Sequence, residues 1–242
     1  MRLSGRESAP PNQWCFTTMK TIHKLLAVAG MTSTLAGSPV AAQNQANTFY
    51  FKADAGATWT MDADLKEFFG PVAPDSKVEF DVGPRFGAEV GYNVNQWFAT
   101  ELEFGFMWSG VDTITDATEV DAVFGNAPLL VNLKLELPTR GPVIPYIGAG
   151  AGGSFMFLDS DYIELNGTGV WGTETAIVFA YQFFGGVRFR LNDQMSIGIE
   201  YRYTRTGEPE FEDDWDDHSH DVSIDLGEIQ SHTFSASFTF RF

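Results

Sequence analysis

Cysteine is nearly absent: Cys15 is the only one in 242 residues, and it precedes the region that carries the recognisable pattern. An exported chain cut after it would hold no disulfide, no thiolate metal site and no cysteine nucleophile. Basic residues are also scarce. Fifteen Lys and Arg stand against 32 Asp and Glu, a net charge of −17, which argues against nucleic acid as a partner because polyanion binding needs clustered cations. No run of about 18 apolar residues occurs, so a helical membrane span is excluded. The mean hydropathy of −0.10 would suit a soluble protein. Phe and Gly, by contrast, are abundant, at 22 and 24 residues. Many evenly spread aromatics and glycines with little Lys point to strands.

The N-terminal region reads as an export signal. Lys20 and Lys24 supply a basic start, Leu25 to Leu35 a short apolar stretch, and Ser38-Pro39-Val40-Ala41-Ala42 a cleavage site with Val40 and Ala42 at the recognition positions. The expected organisation is an upstream extension at 1–18, a signal peptide at 19–42 and a barrel domain at 43–242. A single 42-residue leader is the alternative division.

From residue 47 on, alternation with period two dominates. In the last segment Phe234, Ala236, Phe238, Phe240 and Phe242 take one face, and Ser231, Thr233, Ser235, Ser237, Thr239 and Arg241 the other. The same pattern recurs near 195–204, 179–191 and 129–137, and less regularly near 48–60, 78–93, 97–109 and 143–157. About eight strands result, each long enough to cross a bilayer at a tilt. Connections alternate between long polar segments (61–77, 112–127, 158–176, 205–228) and tight turns (93–96, 138–142, 191–194), the rhythm of an up-and-down barrel with periplasmic turns and outer loops.

A soluble barrel would give similar alternation with its apolar face inward. Three features favour the inverted arrangement. The apolar set is bulky on nearly every strand, which suits lipid better than a narrow interior. Glycines such as Gly87, Gly91, Gly148, Gly150 and Gly186 fall on the polar face, where small residues relieve crowding. That face is also charge-balanced in an otherwise acidic chain, as buried charges must be. The expected lumen network comprises Lys52, Asp54, Asp81, Arg85, Glu89, Glu101, Glu103, Lys134, Glu136, Arg188, Arg190, Glu200, Arg202 and Arg241.

The stretches Pro145-Tyr146-Ile147-Gly148-Ala149-Gly150-Ala151-Gly152, Gly185-Gly186-Val187-Arg188-Phe189-Arg190-Leu191-Asn192-Asp193 and Ile199-Glu200-Tyr201-Arg202-Tyr203-Thr204 resemble the OmpA-type family of small, porin-like outer-membrane barrels. The resemblance implies an all-β, eight-stranded antiparallel transmembrane barrel with an ionic packed lumen, in the outer membrane of a Gram-negative cell. It also implies that Phe238, Phe240 and Phe242 form the signal read by the outer-membrane assembly machinery. Because the chain stops at the last strand, the cell-wall-binding domain of full-length OmpA is not expected.

Other features bear on chemistry. The 207–228 segment holds ten carboxylates and no Lys or Arg, and Asp213, Asp214, Asp216 and Asp217 are candidate ligands for a divalent cation. The spacing is not that of a calcium-binding helix–loop–helix, so a solvated repulsive loop is preferred. Asp216, Asp217, His218 and His220 offer a second candidate, for a transition metal. Ser231 and His232 are neighbours on a strand, so they point to opposite faces and do not form a catalytic pair. No catalytic residue and no cofactor are expected. Aromatics near strand ends, among them Trp59, Tyr92, Trp97, Trp108, Tyr201 and Tyr203, suit the membrane interfaces. The function expected is a surface protein supporting envelope integrity and surface interaction through acidic loops. Its partners would be membrane lipid, lipopolysaccharide, the assembly machinery and divalent cations. A narrow ion or solute channel is the first alternative, a lipid A-modifying enzyme the second, and a soluble ligand-binding barrel the third.

Overall fold

The computed structural model describes residues 46–242 except 69–70, 166–167 and 213–222. The expected extension and signal peptide lie outside the described residues. Twelve strands run in chain order: β1 (Thr48–Thr60), β2 (Ala63–Phe68), β3 (Lys77–Phe80), β4 (Gly83–Asn93), β5 (Phe98–Ile114), β6 (Ala117–Glu136), β7 (Val143–Leu165), β8 (Thr168–Arg190), β9 (Met195–Thr206), β10 (Glu210–Glu212), β11 (Ser223–Leu226) and β12 (Gln230–Arg241).

Eight of these close a ring in the order β1-β4-β5-β6-β7-β8-β9-β12, every neighbour antiparallel. Closure is made by β1, which pairs with β4 from Thr48↔Asn93 to Thr58↔Gly83 and with β12 from Tyr50↔Arg241 to Thr60↔Ser231. A closed ring leaves no edge of unpaired amides, the condition for a spanning backbone in hydrocarbon. The outer face is apolar: Phe51, Phe86, Leu102, Phe104, Leu133, Ile147, Phe183, Ile199 and Phe234 are exposed. Polar side chains fill the inside, so within this ring the usual arrangement of a soluble barrel is inverted.

The tight connections lie at one end. Two use the same device. Asn95 Oδ1 accepts from the amides of Trp97 (2.8 Å) and Phe98 (2.9 Å), and Asn192 Oδ1 from those of Gln194 (2.9 Å) and Met195 (2.7 Å). An asparagine that binds amides two and three residues on imitates a backbone turn. This end faces the periplasm in barrels whose short turns alternate with long outer connections.

The opposite end differs from the sequence expectation. The 112–127 and 158–176 segments are not loops but strand, because β5–β6 reverses at Thr115–Asp116 and β7 and β8 extend to Leu165 and Thr168. Asp116 takes a positive φ of 65°, which its short polar side chain tolerates. Where β1, β4, β9 and β12 end, β2, β3, β10 and β11 replace them. β3 pairs with β5, β2 with β3, β11 with β2 and β10 with β11, and β10 then lies against β8. This upper tier has an apolar core of Leu65, Val78, Val111, Ile114, Phe124, Met156, Leu158, Ile163, Phe211, Ile224 and Leu226.

One face of each long strand therefore changes character along its length. Inward positions of β7 run Gly148, Gly150, Gly152, Ser154, then Met156 and Leu158. Outward positions run Ile147, Ala149, Ala151, Phe155, Phe157, then Asp159 and Asp161. Strand phase is continuous, but the surroundings switch from lipid outside to water outside, and the chemistry inverts with them.

Candidate functional site in the barrel lumen

Strand alternation brings the inner faces of eight strands, seven of them bearing charged residues, into one interior. All the expected lumen residues are buried except Arg190, which is half-buried, and Asp81, which is exposed. Asp81 lies outside the network. β3 and β4 are separate strands, β3 shifts register against β5 at Glu79/Phe80, and the break at 81–82 resets the phase, so counting through it from Arg85 misplaces Asp81. Its amide donates to the Gly110 carbonyl instead (2.9 Å).

Nearest the turns, Lys134 Nζ meets Glu101 Oε1 at 2.5 Å, donates to the Tyr50 hydroxyl at 2.7 Å and reaches Glu136 Oε1 at 3.4 Å. Tyr50 donates to the same Glu101 oxygen (2.5 Å), and its ring lies 4.5 Å below the ammonium. Arg188 takes the other Glu136 oxygen. One step inward, Lys52 Nζ sits between Glu89 (2.9 Å) and Glu200 (2.8 Å), and Tyr146 donates to Glu200 (3.0 Å).

The centre is Glu103 on β5. It receives Arg85 from β4 (2.6 Å), Asn132 from β6 (2.6 Å), Gln182 from β8 (2.6 Å) and Arg202 from β9. Arg85 also binds Asp54 on β1. Arg202 further binds Glu200 (2.5 Å), Gln182 Oε1 (2.7 Å) and Glu89 (3.4 Å), and its guanidinium lies 5.2 Å from the centre of the Phe184 ring. Above this cluster a neutral layer follows, in which Thr58 meets Thr233 (2.7 Å) and Ser154 binds Asn126. The apolar tier begins beyond it.

Glycines make room for these side chains. A Cβ on Gly91 would stand 2.1 Å from the Tyr50 ring, and one on Gly148 2.3 Å from the Phe184 ring. Asn132 and Gln182 fall on the polar face by alternation, while Tyr50, Tyr146 and Phe184 are inward residues that the expected charged network does not include. Their signal is parity: Tyr50 and Asn132 stand two places from Lys52 and Lys134, Tyr146 two from the inward Gly148, and Gln182 and Phe184 in phase with Gly186 and Arg188 on β8.

The arrangement suits charge neutralisation better than acid–base chemistry. Each central carboxylate is already held by a cation, and Ser231 faces inward while His232 faces outward against Tyr201 (2.7 Å from the hydroxyl to Nδ1). Among the described residues no group of three or more His, Cys, Asp or Glu is placed to hold a metal. The candidate ligands Asp213, Asp214, Asp216 and Asp217, with His218 and His220, lie outside the described residues.

Comparison with known proteins places this geometry. The outer membrane protein beta-barrel domain family matches residues 28–242, and the chain belongs to that family. An uncharacterized protein of Brucella suis biovar 1 is 24% identical over 65% of this chain; the match spans 64% of that relative's length. Among solved structures, outer membrane protein OprG from Pseudomonas aeruginosa is similar over 83% of this chain and 99% of its own, at 14% identity and a TM-score of 0.54. The outer membrane protein AlkL, solved in lipid bilayers, is similar over 88% of this chain and 97% of its own, at 14% identity and a TM-score of 0.50.

Proposed function

We propose that this outer-membrane β-barrel protein is a plugged anchor that carries a rigid, strand-built outer tier for envelope support and surface interaction. One observation carries the reading: Glu103 gathers side chains from β4, β6, β8 and β9, so that a single carboxylate ties together strands from around the ring. An axial path for water or ions would have to part that cluster. The exposed apolar belt supports lipid as the surrounding partner, and Phe238, Phe240 and Phe242 lie on that belt or at its end, where an assembly machinery would read them. The acidic 207–228 segment would attract divalent cations that bridge lipopolysaccharide.

The test is single-channel recording in planar bilayers with protein purified from outer membranes. The wild type should give no reproducible steps, and Glu103→Ala with Arg202→Ala should introduce them. Reproducible steps from the wild type, altered by the same substitutions, would make the channel reading primary.

A second reading rests on the upper tier. β8 pairs with β9 up to Ala180↔Thr206, and the Gly207 amide donates once more across the seam to the Phe179 carbonyl (2.8 Å); above that point β10 touches β8 with no ladder among the described residues. An apolar interior beside an unlaced seam is the route a small apolar solute would take, entering from outside and leaving sideways above the ionic plug. Faster entry of an apolar dye into vesicles carrying the protein, without conductance, would favour it.

A further inference from the structure

The ion pairing that organises the lumen stops short at its turn end. Arg188 and Arg190 on β8 and Arg241 on β12 face inward there, with Ser196 on β9 between the two strands. The register places them at one end of the lumen: Arg190 pairs with Ser196, Ser196 pairs with Thr239, and Arg241 is the next inward residue after Thr239. Arg241 is 5% exposed, yet among the described residues none of its three guanidinium nitrogens has a hydrogen-bond partner. Nε and Nη1 of Arg188, Nε of Arg190 and Oγ of the fully buried Ser196 are also unpartnered. Among the described residues no carboxylate forms an ion pair with Arg190 or Arg241. Glu136 is shared between Arg188 and Lys134, and Asp193 lies in the turn beside Arg190.

We propose that Arg188, Arg190, Arg241 and Ser196 form a binding site for a phosphate-type oxyanion at the turn end of the lumen. Arg188 and the half-buried Arg190 repel one another on β8, and an unpaired buried cation such as Arg241 is strongly unfavourable. A tetrahedral oxyanion reverses both effects at once. Its oxygens accept from several planar forks, the geometry in which arginine outperforms lysine, and the serine hydroxyl supplies a neutral donor. The ligand is either free phosphate from the periplasm or the phosphate of a lipid headgroup at the inner leaflet.

The experiment is thermal unfolding of the full protein, extracted from membranes into a phosphate-free detergent at constant ionic strength. Inorganic phosphate and dihexanoylphosphatidylglycerol are titrated separately. At ten times the dissociation constant the wild type should melt roughly 3–6 °C higher. Arg241→Gln and Arg190→Gln should lose most of that shift. A response to inorganic phosphate supports the site with a free ion as ligand, and a response to the lipid alone supports it with a headgroup. No shift in either arm, or an undiminished shift in both variants, overturns the proposal. If the variants fail to fold, broadening of the phosphorus resonance by wild-type protein, reversed by excess sulfate, supports the site, and its absence overturns it.

Discussion

Arg202→Met is the most informative perturbation of the plug. Five cations (Lys52, Arg85, Lys134, Arg188, Arg202) hold six carboxylates (Asp54, Glu89, Glu101, Glu103, Glu136, Glu200), with Arg202 touching three of the six. Its removal leaves Asp54, Glu89, Glu103 and Glu200 to share Arg85 and Lys52. Deleting one partner of a buried pair costs about 3–5 kcal/mol, because the charge left behind keeps its desolvation penalty. Methionine preserves much of the volume against Phe184, so a cavity contributes little. Adding Glu103→Gln removes one uncompensated charge while keeping an acceptor for Arg85. The double variant should therefore be more stable than the sum of the single losses, with a coupling of about 2 kcal/mol. Arg205→Met is the internal control: its pair with Glu228 is a third or more exposed and should contribute less than about 1 kcal/mol. The assay is reversible urea unfolding in lipid vesicles followed by tryptophan fluorescence, with the mobility shift between heated and unheated samples as the measure of folded barrel. Equal, small losses for Arg202→Met and Arg205→Met, or additive losses for Arg202→Met and Glu103→Gln, would refute the claim that the lumen is held by mutual charge compensation.

Three further outcomes follow from other parts of the barrel. Gly56→Ala places a Cβ 2.1 Å from the Phe234 carbonyl oxygen and 2.7 Å from the Ser235 Cα, both backbone atoms of β12, so the closing seam should weaken by about 1–3 kcal/mol and the heat-shifted band should appear at lower temperature. Phe242→Ser should cost only about 1 kcal/mol in the refolded barrel, because the ring is 70% exposed and, among the described residues, its aromatic contact is a stack on Phe49 at 6.5 Å. The same substitution should sharply reduce the amount reaching the outer membrane, and normal levels there would count against the assembly signal. Phe211→Ala empties a fully buried position in the upper tier at a local cost of about 3–5 kcal/mol, which should expose 207–228 to added protease on intact cells while the transmembrane ring keeps its heat-dependent mobility.

The transmembrane ring was legible in the sequence because one rule governs it throughout. Where lipid lies outside, Phe234, Phe238, Ile197 and Leu133 must alternate with Thr233, Ser237, Gly198 and Lys134, and parity assigns every residue its side. The charged members of the plug could be listed, but not their partners. Which cation meets Glu103 depends on the stagger between strands far apart in sequence, such as Arg202 with a partner 99 residues away. The upper tier departs from that rule for a definite reason. Above the bilayer the same period-two pattern continues with its polarity reversed, so Asp159 and Asp161 outside and Met156 and Leu158 inside appear, in a reading tuned to lipid, as a polar connection.

That reversal also decides what the outer surface can do. A mobile loop adapts to a partner but loses conformational entropy when it binds, whereas a strand-built tier presents its side chains already ordered. In β5–β6 and β7–β8 the outward residues above the membrane, among them Asp112, Asp121, Asp159 and Asp161, stand on paired strands with an apolar core behind them. Any cationic partner of this face would therefore meet a fixed array of carboxylates. Its on-rate should fall steeply with ionic strength, while the geometric selectivity set by the strand spacing remains. Divalent-cation binding to intact cells, compared between wild type and a variant carrying Asp159→Asn and Asp161→Asn, separates this from adhesion through 207–228. A loss confined to the strand variant places the recognition surface on the tier, and an unchanged isotherm returns it to the acidic segment.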